Sequence, residues 1–94
     1  MSSPEGIERL EKRLRSDPTS KVFLPVAEAH RKAGQTERAL DLLRAGLEHN
    51  PSYIAAQVAL ARTLMEIGQN DEACLILSDV VSTVPENLLA ARLL

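Results

Sequence analysis

The chain has 94 residues, of which 45% are hydrophobic and 26% are charged, and its formal net charge is −2. This composition excludes an extensively disordered protein, and the balanced charge excludes a generally basic surface for nucleic acid. No apolar run approaches the ~20 residues that span a bilayer, so we expect no membrane segment. The single cysteine forms no internal disulfide. We therefore expect one small cytoplasmic domain over residues 1–94.

The first predicted element is an N-terminal helix within residues 1–18. Pro4 suits the first helical position, because the N–H that proline lacks has no helical partner there. Asp17-Pro18 ends the helix, because the residue before a proline disfavours helical geometry. Apolar residues recur every three or four positions between these ends, which predicts one buried stripe. The stripe consists of Ile7, Leu10 and Leu14.

Residues 20–53 predict two helices with Gly34 between them. A glycine suits the left-handed conformation that follows a helix end, and Thr36 is the expected cap of the second helix. Pro25 is expected in the second turn of the first helix, where it removes one backbone hydrogen bond, which predicts a kink or a late start. The two apolar stripes are Phe23, Val26, Ala27, His30 and Ala33 in the first helix, then Ala39, Leu40, Leu43 and Leu47 in the second.

Residues 54–87 repeat this pattern at a fixed distance. Gly34 and Gly68 lie 34 residues apart, and Asn70 is the expected cap of the following helix. A constant period of this size is typical of stacked helical repeats. Residues 88–94 then begin a third copy. The other identities at the same spacing are Ala27/Ala61, Gln35/Gln69, Ala39/Ala73, Leu43/Leu77 and Pro51/Pro85.

At these positions the chain resembles the tetratricopeptide repeat family, whose pattern is W-x-x-L-G-x-x-Y, then A-x-x-x-F, then P. The resemblance covers residues 20–87, although smaller or polar residues replace most of the large aromatic ones. It implies an all-α solenoid of antiparallel helix pairs, with about five to six helices. The matching residues are Phe23, Val26, Ala27, His30, Ala39, Leu43 and Pro51, then Gln57, Leu60, Ala61, Leu64, Ala73, Leu77 and Pro85.

The resemblance also implies a function, which is binding another protein or peptide on a concave surface, in a scaffold or adaptor role. The first helix of each pair lines that surface in the family. Apolar residues on its outer face favour a contact surface, while a merely tolerant exposed face stays open as the alternative. The expected partner-binding residues are Lys21, Leu24, Glu28, Arg31, Tyr53, Val58, Arg62 and Met65.

Some family members grip the terminal carboxylate of chaperone tails with lysine, asparagine and arginine side chains on this surface. The matching positions of this chain hold none of these residue types. We therefore expect that it does not bind a chaperone tail in that way. The residues at those positions are Leu24, Pro25, Glu28 and Ala59.

The sequence predicts no enzyme, cofactor or metal site. His30 and His49 lie on different predicted helices, and neither has a cysteine or acidic pair at ligand spacing. His30 is expected in the core, and Cys74 is expected to pack as a small hydrophobic residue. The aromatic residues are limited to Phe23 and Tyr53, too few to stack on single-stranded nucleic acid.

A second hypothesis is self-association through an apolar C-terminal helix. A solenoid normally ends in a helix with a polar outer face, whereas residues 88–94 contain four leucines and no polar stop. Either a longer repeat array continues from here, or this end docks on another copy as a homodimer. The expected self-association residues are Leu89, Leu93 and Leu94.

Overall fold

The computed structural model describes the backbone of residues 4–83 and the side chains of residues 6–82. Within that range the chain forms five α-helices and no strand, so the expected all-α class is confirmed. Residues 88–94, with the three leucines expected to drive self-association, lie outside the described residues. The helices are α1 (Pro4–Ser16), α2 (Phe23–Lys32), α3 (Thr36–His49), α4 (Ile54–Glu66) and α5 (Asn70–Thr83).

The helices form pairs that stack along the chain. Helix α2 packs along α3 and α4 packs along α5, and contacts between α3 and α4 join the two pairs. Helix α1 packs on α2, and α2 also touches α4. Short connections require neighbouring helices to fold back on each other, which gives the antiparallel pairs expected from the sequence. Each pair has an apolar stripe that it cannot bury alone, and stacking buries the stripes of both pairs against each other.

Small residues allow the helices to approach closely. The alanines that the repeat pattern places at the helix crossings are fully buried, and larger side chains fill the space around them. A core of this kind is closely packed, so a change of even one methylene group at a crossing affects stability. The alanines are Ala27, Ala39, Ala61 and Ala73, and the largest fully buried side chains are Phe23, Leu43, Leu64, Val26 and Thr63.

Glycine makes the turn inside each pair. Gly34 and Gly68 have φ angles of 83° and 82°, a conformation that side-chain-bearing residues rarely adopt. The N–H of Gln35 donates to the carbonyl of residue 30 at 2.8 Å, and the equivalent bond in the second turn measures 2.9 Å. These bonds occupy carbonyls that the helix end leaves without partners. The glycine turns expected from the sequence are confirmed.

The structure corrects the expected helix starts by one residue. Thr36 and Asn70 are not caps, because each is the first residue of its helix. The carbonyl of Gln35 already accepts the N–H of Ala39 at 3.1 Å, so the N-cap of α3 is Gln35. Pro25 lies in the first turn of α2, where N–H groups have no helical acceptor. The late start expected for this helix is confirmed, because α2 begins at Phe23. Pro25 therefore lies in the first turn and not in the second, and the helix loses no hydrogen bond.

Candidate functional site

The outer surface of α2 and α4 carries the residues expected to contact a partner. The two helices touch each other in the stack, and Tyr53 occupies the N-cap position of α4. We call this surface the α2–α4 face. It consists of Lys21, Leu24, Glu28, Arg31, Lys32, Tyr53, Ala55, Val58, Arg62, Met65 and Glu66.

An ion-pair network joins the two helices across this face. Arg31 Nη2 donates to Glu28 Oε2 at 2.7 Å, and Arg31 Nη1 donates to Glu66 Oε1 at 2.7 Å. The Arg31 side chain is only 17% exposed. The hydrogen bond with Glu28 raises the pKa of Arg31 above its ordinary value, so the guanidinium stays charged. Both carboxylates thereby fix Arg31 in one orientation before any partner binds.

Aromatic rings and a lysine form one end of the face. The rings of Tyr53 and Phe23 meet edge to face, with centroids 5.8 Å apart and an interplanar angle of 88°. Lys21 Nζ lies over the Tyr53 ring, 5.1 Å from its centroid, which is within range of a cation–π interaction. An open hollow of about 450 Å³ begins here, between Lys21, Pro51 and Ala55. This end therefore combines an aromatic ring, a positive charge and space for a partner side chain.

Apolar and unpaired charged side chains occupy the rest of the face. Met65 is 53% exposed, whereas Leu24 and Val58 are half-buried. Arg62 and Lys32 are exposed, and neither has an ion-pair partner among residues 6–82. The positive charge of Arg31 is already satisfied, so Arg62, Lys32 and the Lys21 side chain over Tyr53 are the cations on this face that form no ion pair among the described residues.

The repeat relates the two helices of the face position by position. Val58 and Met65 stand 34 residues after Leu24 and Arg31. On α2, Leu24 packs against the core and Arg31 bonds to Glu66 on α4. The expected partner-binding residues Val58 and Met65 thus occupy the positions on α4 that Leu24 and Arg31 occupy on α2.

Glu66 is a contact that the expected set of residues omitted. It lies 35 residues after Arg31, which is one repeat and one residue further along the chain. Only the stacking of α4 beside α2 makes the pair, because no rule for residues within one helix connects them. The signal that could have found it is opposite charge at nearly equivalent positions of consecutive repeats.

His30 corrects another expectation, because it is half-buried and not a core residue. Its Nε2 lies 2.6 Å from Glu11 Oε1 on α1, and its Nδ1 lies 2.5 Å from Gln35 Oε1 in the glycine turn. The imidazolium form donates to both oxygens, whereas a neutral ring satisfies both contacts only when Gln35 presents its amide N–H. His30 thus connects α1 to the first helix pair.

Cys74 also departs from the expectation, because it is exposed on α5 while its neighbour Ala73 is buried. Within residues 6–82, no group of three His, Cys, Asp or Glu side chains has the geometry to hold a metal ion. Among the described helices, none is long and apolar enough to cross a membrane.

Paired helices, a fixed period and glycine turns at equivalent positions define a helical-repeat solenoid. The tetratricopeptide repeat profile matches residues 30–94, which is more than half of the chain. The chain belongs to the tetratricopeptide repeat family. Repeats of this family generally mediate protein–protein interactions and are typically non-catalytic. No curated protein matches the sequence.

Proposed function

We propose that the chain is a protein-interaction module whose α2–α4 face, as the concave surface of the solenoid, binds a segment of a partner protein. The observation that carries this proposal is the combination of a fixed ion-pair network with exposed apolar and unpaired cationic side chains on one surface. A scaffold or adaptor role in the cytoplasm belongs to the same proposal.

Preorganisation supports this function. Arg31 is held by Glu28 and Glu66 at 2.7 Å each, which joins α2 to α4 through side chains. Binding is weakened when side chains must first be ordered, so a face that is already fixed loses less free energy on association. The centre of the α2–α4 face therefore suits recognition without a large rearrangement.

The chemistry of the face indicates the kind of segment that it accepts. Arg62 and Lys32 attract a carboxylate, and Met65 offers a flexible, polarisable apolar surface. Lys21 and Tyr53 add a second polar position at the other end. We infer a partner segment with an acidic side chain near Arg62 and an apolar side chain near Met65.

Differential capture from a cell lysate tests this function. The wild-type chain is compared with Met65→Glu on the α2–α4 face and with Leu75→Glu on α5, where Leu75 is 73% exposed. Both changes convert an exposed apolar residue into glutamate, so they match in charge and hydrophobicity. We expect at least one protein that the wild type and Leu75→Glu retain and Met65→Glu loses. Identical captured proteins from all three chains would contradict binding through this face.

Self-association through the C-terminal region is the second candidate function, and the surface of α5 favours it. Leu77 and Val81 line an open hollow of about 430 Å³ beside Cys74. They stand 34 residues after Leu43 and Leu47, which belong to the helix that packs on α4. An apolar face that is covered in the first pair is thus open in the described part of the second. Leu89, Leu93 and Leu94 would contribute to its contact with another copy.

Sedimentation from low to high micromolar concentration tests this candidate, with Leu89→Glu/Leu93→Glu as the comparison. A wild-type dimer and a folded monomeric variant are the expected results. Circular dichroism establishes that the variant is folded. A wild type that stays monomeric at every concentration would contradict self-association and leave the α2–α4 face as the interaction surface.

A further inference from the structure

A second recessed surface lies between α1 and α3. It contains none of the residues that define the α2–α4 face, although Phe23 in its floor also contacts Tyr53 of that face. It is a hollow of about 240 Å³. Helices α1 and α3 both pack on α2, and residues of both helices line the hollow between them. Leu14 lines one side, Leu42 lines the other, and Phe23 from α2 lies between. Phe23 and Leu42 are buried core residues, so the floor of the cleft is apolar.

Gly46 lines the hollow, and its lack of a side chain leaves room for the Phe23 ring. A Cβ atom at this position would overlap the Phe23 ring, so the backbone of α3 lies directly against it. One repeat later the equivalents of Phe23 and Gly46 are Gln57 and Val80. The second pair therefore has neither the aromatic floor nor the missing side chain. This recess belongs to the first pair and is not a general consequence of the repeat.

Three basic side chains surround the apolar floor. Arg15 comes from α1, and Arg38 and His49 come from α3. All three are exposed, and none has an ion-pair partner among residues 6–82. Asp17 is near His49, and hydrogen bonds from Thr19 lower the pKa of its carboxyl, which keeps it negatively charged. The rim therefore carries the positive charges of Arg15 and Arg38, which form no ion pair among the described residues, beside one negative charge near His49.

The second pair provides an internal comparison for this charge. The residue one repeat after Arg38 is Glu72, and its carboxylate is paired with Arg44 at 3.1 Å. The residue one repeat after Ala45, which also lines the hollow, is Asp79. Equivalent surface positions thus change from basic or neutral in the first pair to acidic in the second. Of the two helix pairs described, the first is the one that combines unpaired cations with an open apolar floor.

The size of the hollow limits what it can accept. A dry apolar cavity of about 150 Å³ accommodates benzene, whereas pockets for drug-sized ligands begin at roughly 300 Å³. A hollow of about 240 Å³ lies between these limits. It therefore suits one aromatic or branched aliphatic side chain. Burial of such a group against Phe23 and Leu42 would remove apolar surface from water, and a carboxylate beside it would meet the basic rim.

We propose that this hollow binds a large apolar side chain of a partner protein whose neighbouring residue is aspartate or glutamate. The apolar side chain lies over Phe23 and Gly46, and the carboxylate pairs with Arg15 and Arg38. The residues that define the α2–α4 face do not line this hollow, so the two surfaces are tested with different variants.

The probe is the dipeptide N-acetyl-Glu-Phe-amide, titrated into the ¹⁵N-labelled chain to about 10 mM and followed by NMR, because a ligand of this size binds at best weakly. We expect the amide signals of Phe23, Arg38 and Gly46 to shift together. N-acetyl-Lys-Phe-amide carries the opposite charge and is expected to bind roughly threefold to tenfold more weakly. Equal affinity for both dipeptides, or shifts confined to the α2–α4 face, would overturn the proposal.

Matched variants separate this site from general effects of charge. Arg38→Gln and Arg44→Gln remove the same charge from the same helix, but only Arg38 borders the hollow. We expect roughly twofold to fivefold weaker dipeptide binding for Arg38→Gln and unchanged binding for Arg44→Gln. Ala45→Leu fills the hollow from an exposed position, so it is expected to abolish the shifts while circular dichroism stays unchanged. Unchanged binding by a folded Ala45→Leu variant would overturn the proposal.

Discussion

The ring of Phe23 lies against the backbone of Gly46, with no room for a methyl group between α2 and α3. Phe23 is 1% exposed, so the ring cannot move away without disturbing the core. One repeat later, glutamine and valine replace phenylalanine and glycine. In the first pair the large apolar residue, Phe23, is on α2. In the second pair the apolar residue, Val80, is on α5. The two pairs therefore differ in side-chain size at these equivalent positions.

Gly46→Ala is expected to destabilise the chain by about 1–2 kcal/mol. Overpacking against Phe23 costs up to about 3 kcal/mol, while the better helix propensity of alanine returns about 1 kcal/mol. Thermal unfolding measures the effect, as a decrease of roughly 4–8 °C in Tm for each kcal/mol. Phe23→Leu/Gly46→Ala is the control. Its free energy of unfolding is expected to exceed the value predicted by adding the two single effects by about 0.5–3 kcal/mol. Strict additivity would show that the ring and the new methyl group do not clash.

Glu11→Ala is expected to loosen α1 without unfolding the helix pairs. The 2.6 Å contact between Glu11 and His30 joins α1 to α2, and both side chains are mostly shielded from water. Its loss is expected to lower the free energy of local opening by about 0.5–1.5 kcal/mol. Hydrogen exchange of the α1 amides should therefore accelerate severalfold, while exchange in α4 stays unchanged. Glu8→Ala, at an exposed position of the same helix, is the matched control. Equal acceleration in both variants would contradict the role of the His30 contact.

Thr19→Val is expected to raise the pKa of the Asp17 carboxyl toward its ordinary value. Thr19 Oγ1 donates to Asp17 Oδ1 at 2.6 Å, and this hydrogen bond is the main cause of the lowered pKa of Asp17. The pKa of Asp17 is lower in the folded chain than in the unfolded chain. This contact therefore stabilises the folded chain at pH values above the ordinary carboxyl pKa. That contribution disappears as pH falls through the lowered pKa. NMR titration of the Asp17 side chain measures the shift, and an unchanged pKa in the variant would assign it to another cause.

The chain is expected not to bind a chaperone C-terminal peptide. Ala59 is 4% exposed and carries no donor, and the Glu28 carboxylate is engaged by Arg31. Neither position can supply the cationic side chains that grip a terminal carboxylate. Isothermal titration calorimetry checks this expectation, and a chaperone-binding tetratricopeptide repeat domain serves as the positive control. Binding at micromolar concentration would show that other cations, such as Arg62, replace the missing ones.

The sequence alone determined the number of helices in the described range, the pairing of those helices and the glycine turns. These features obey local rules. A stripe of period near 3.6 defines a helix, a φ near 83° at Gly34 requires glycine, and a constant period requires each pair to pack like the next. Small residues at Ala39 and Ala73 could be placed for the same reason. The helix starts were predicted one residue too late, because the Gln35 carbonyl and not the Thr36 hydroxyl begins the helical bonding.

The tertiary structure decided which side chains meet. The pairing of Arg31 with Glu66, the contact of His30 with Glu11 and the fit of Phe23 against Gly46 all join different helices. The repeat period gives the order of the helices. The rotation of each helix about its axis and the spacing between helices determine which side chains make these contacts. Rotation and spacing result from the packing of all core side chains at once. The sequence therefore determined the architecture of this protein, and close packing decided which of its side chains meet.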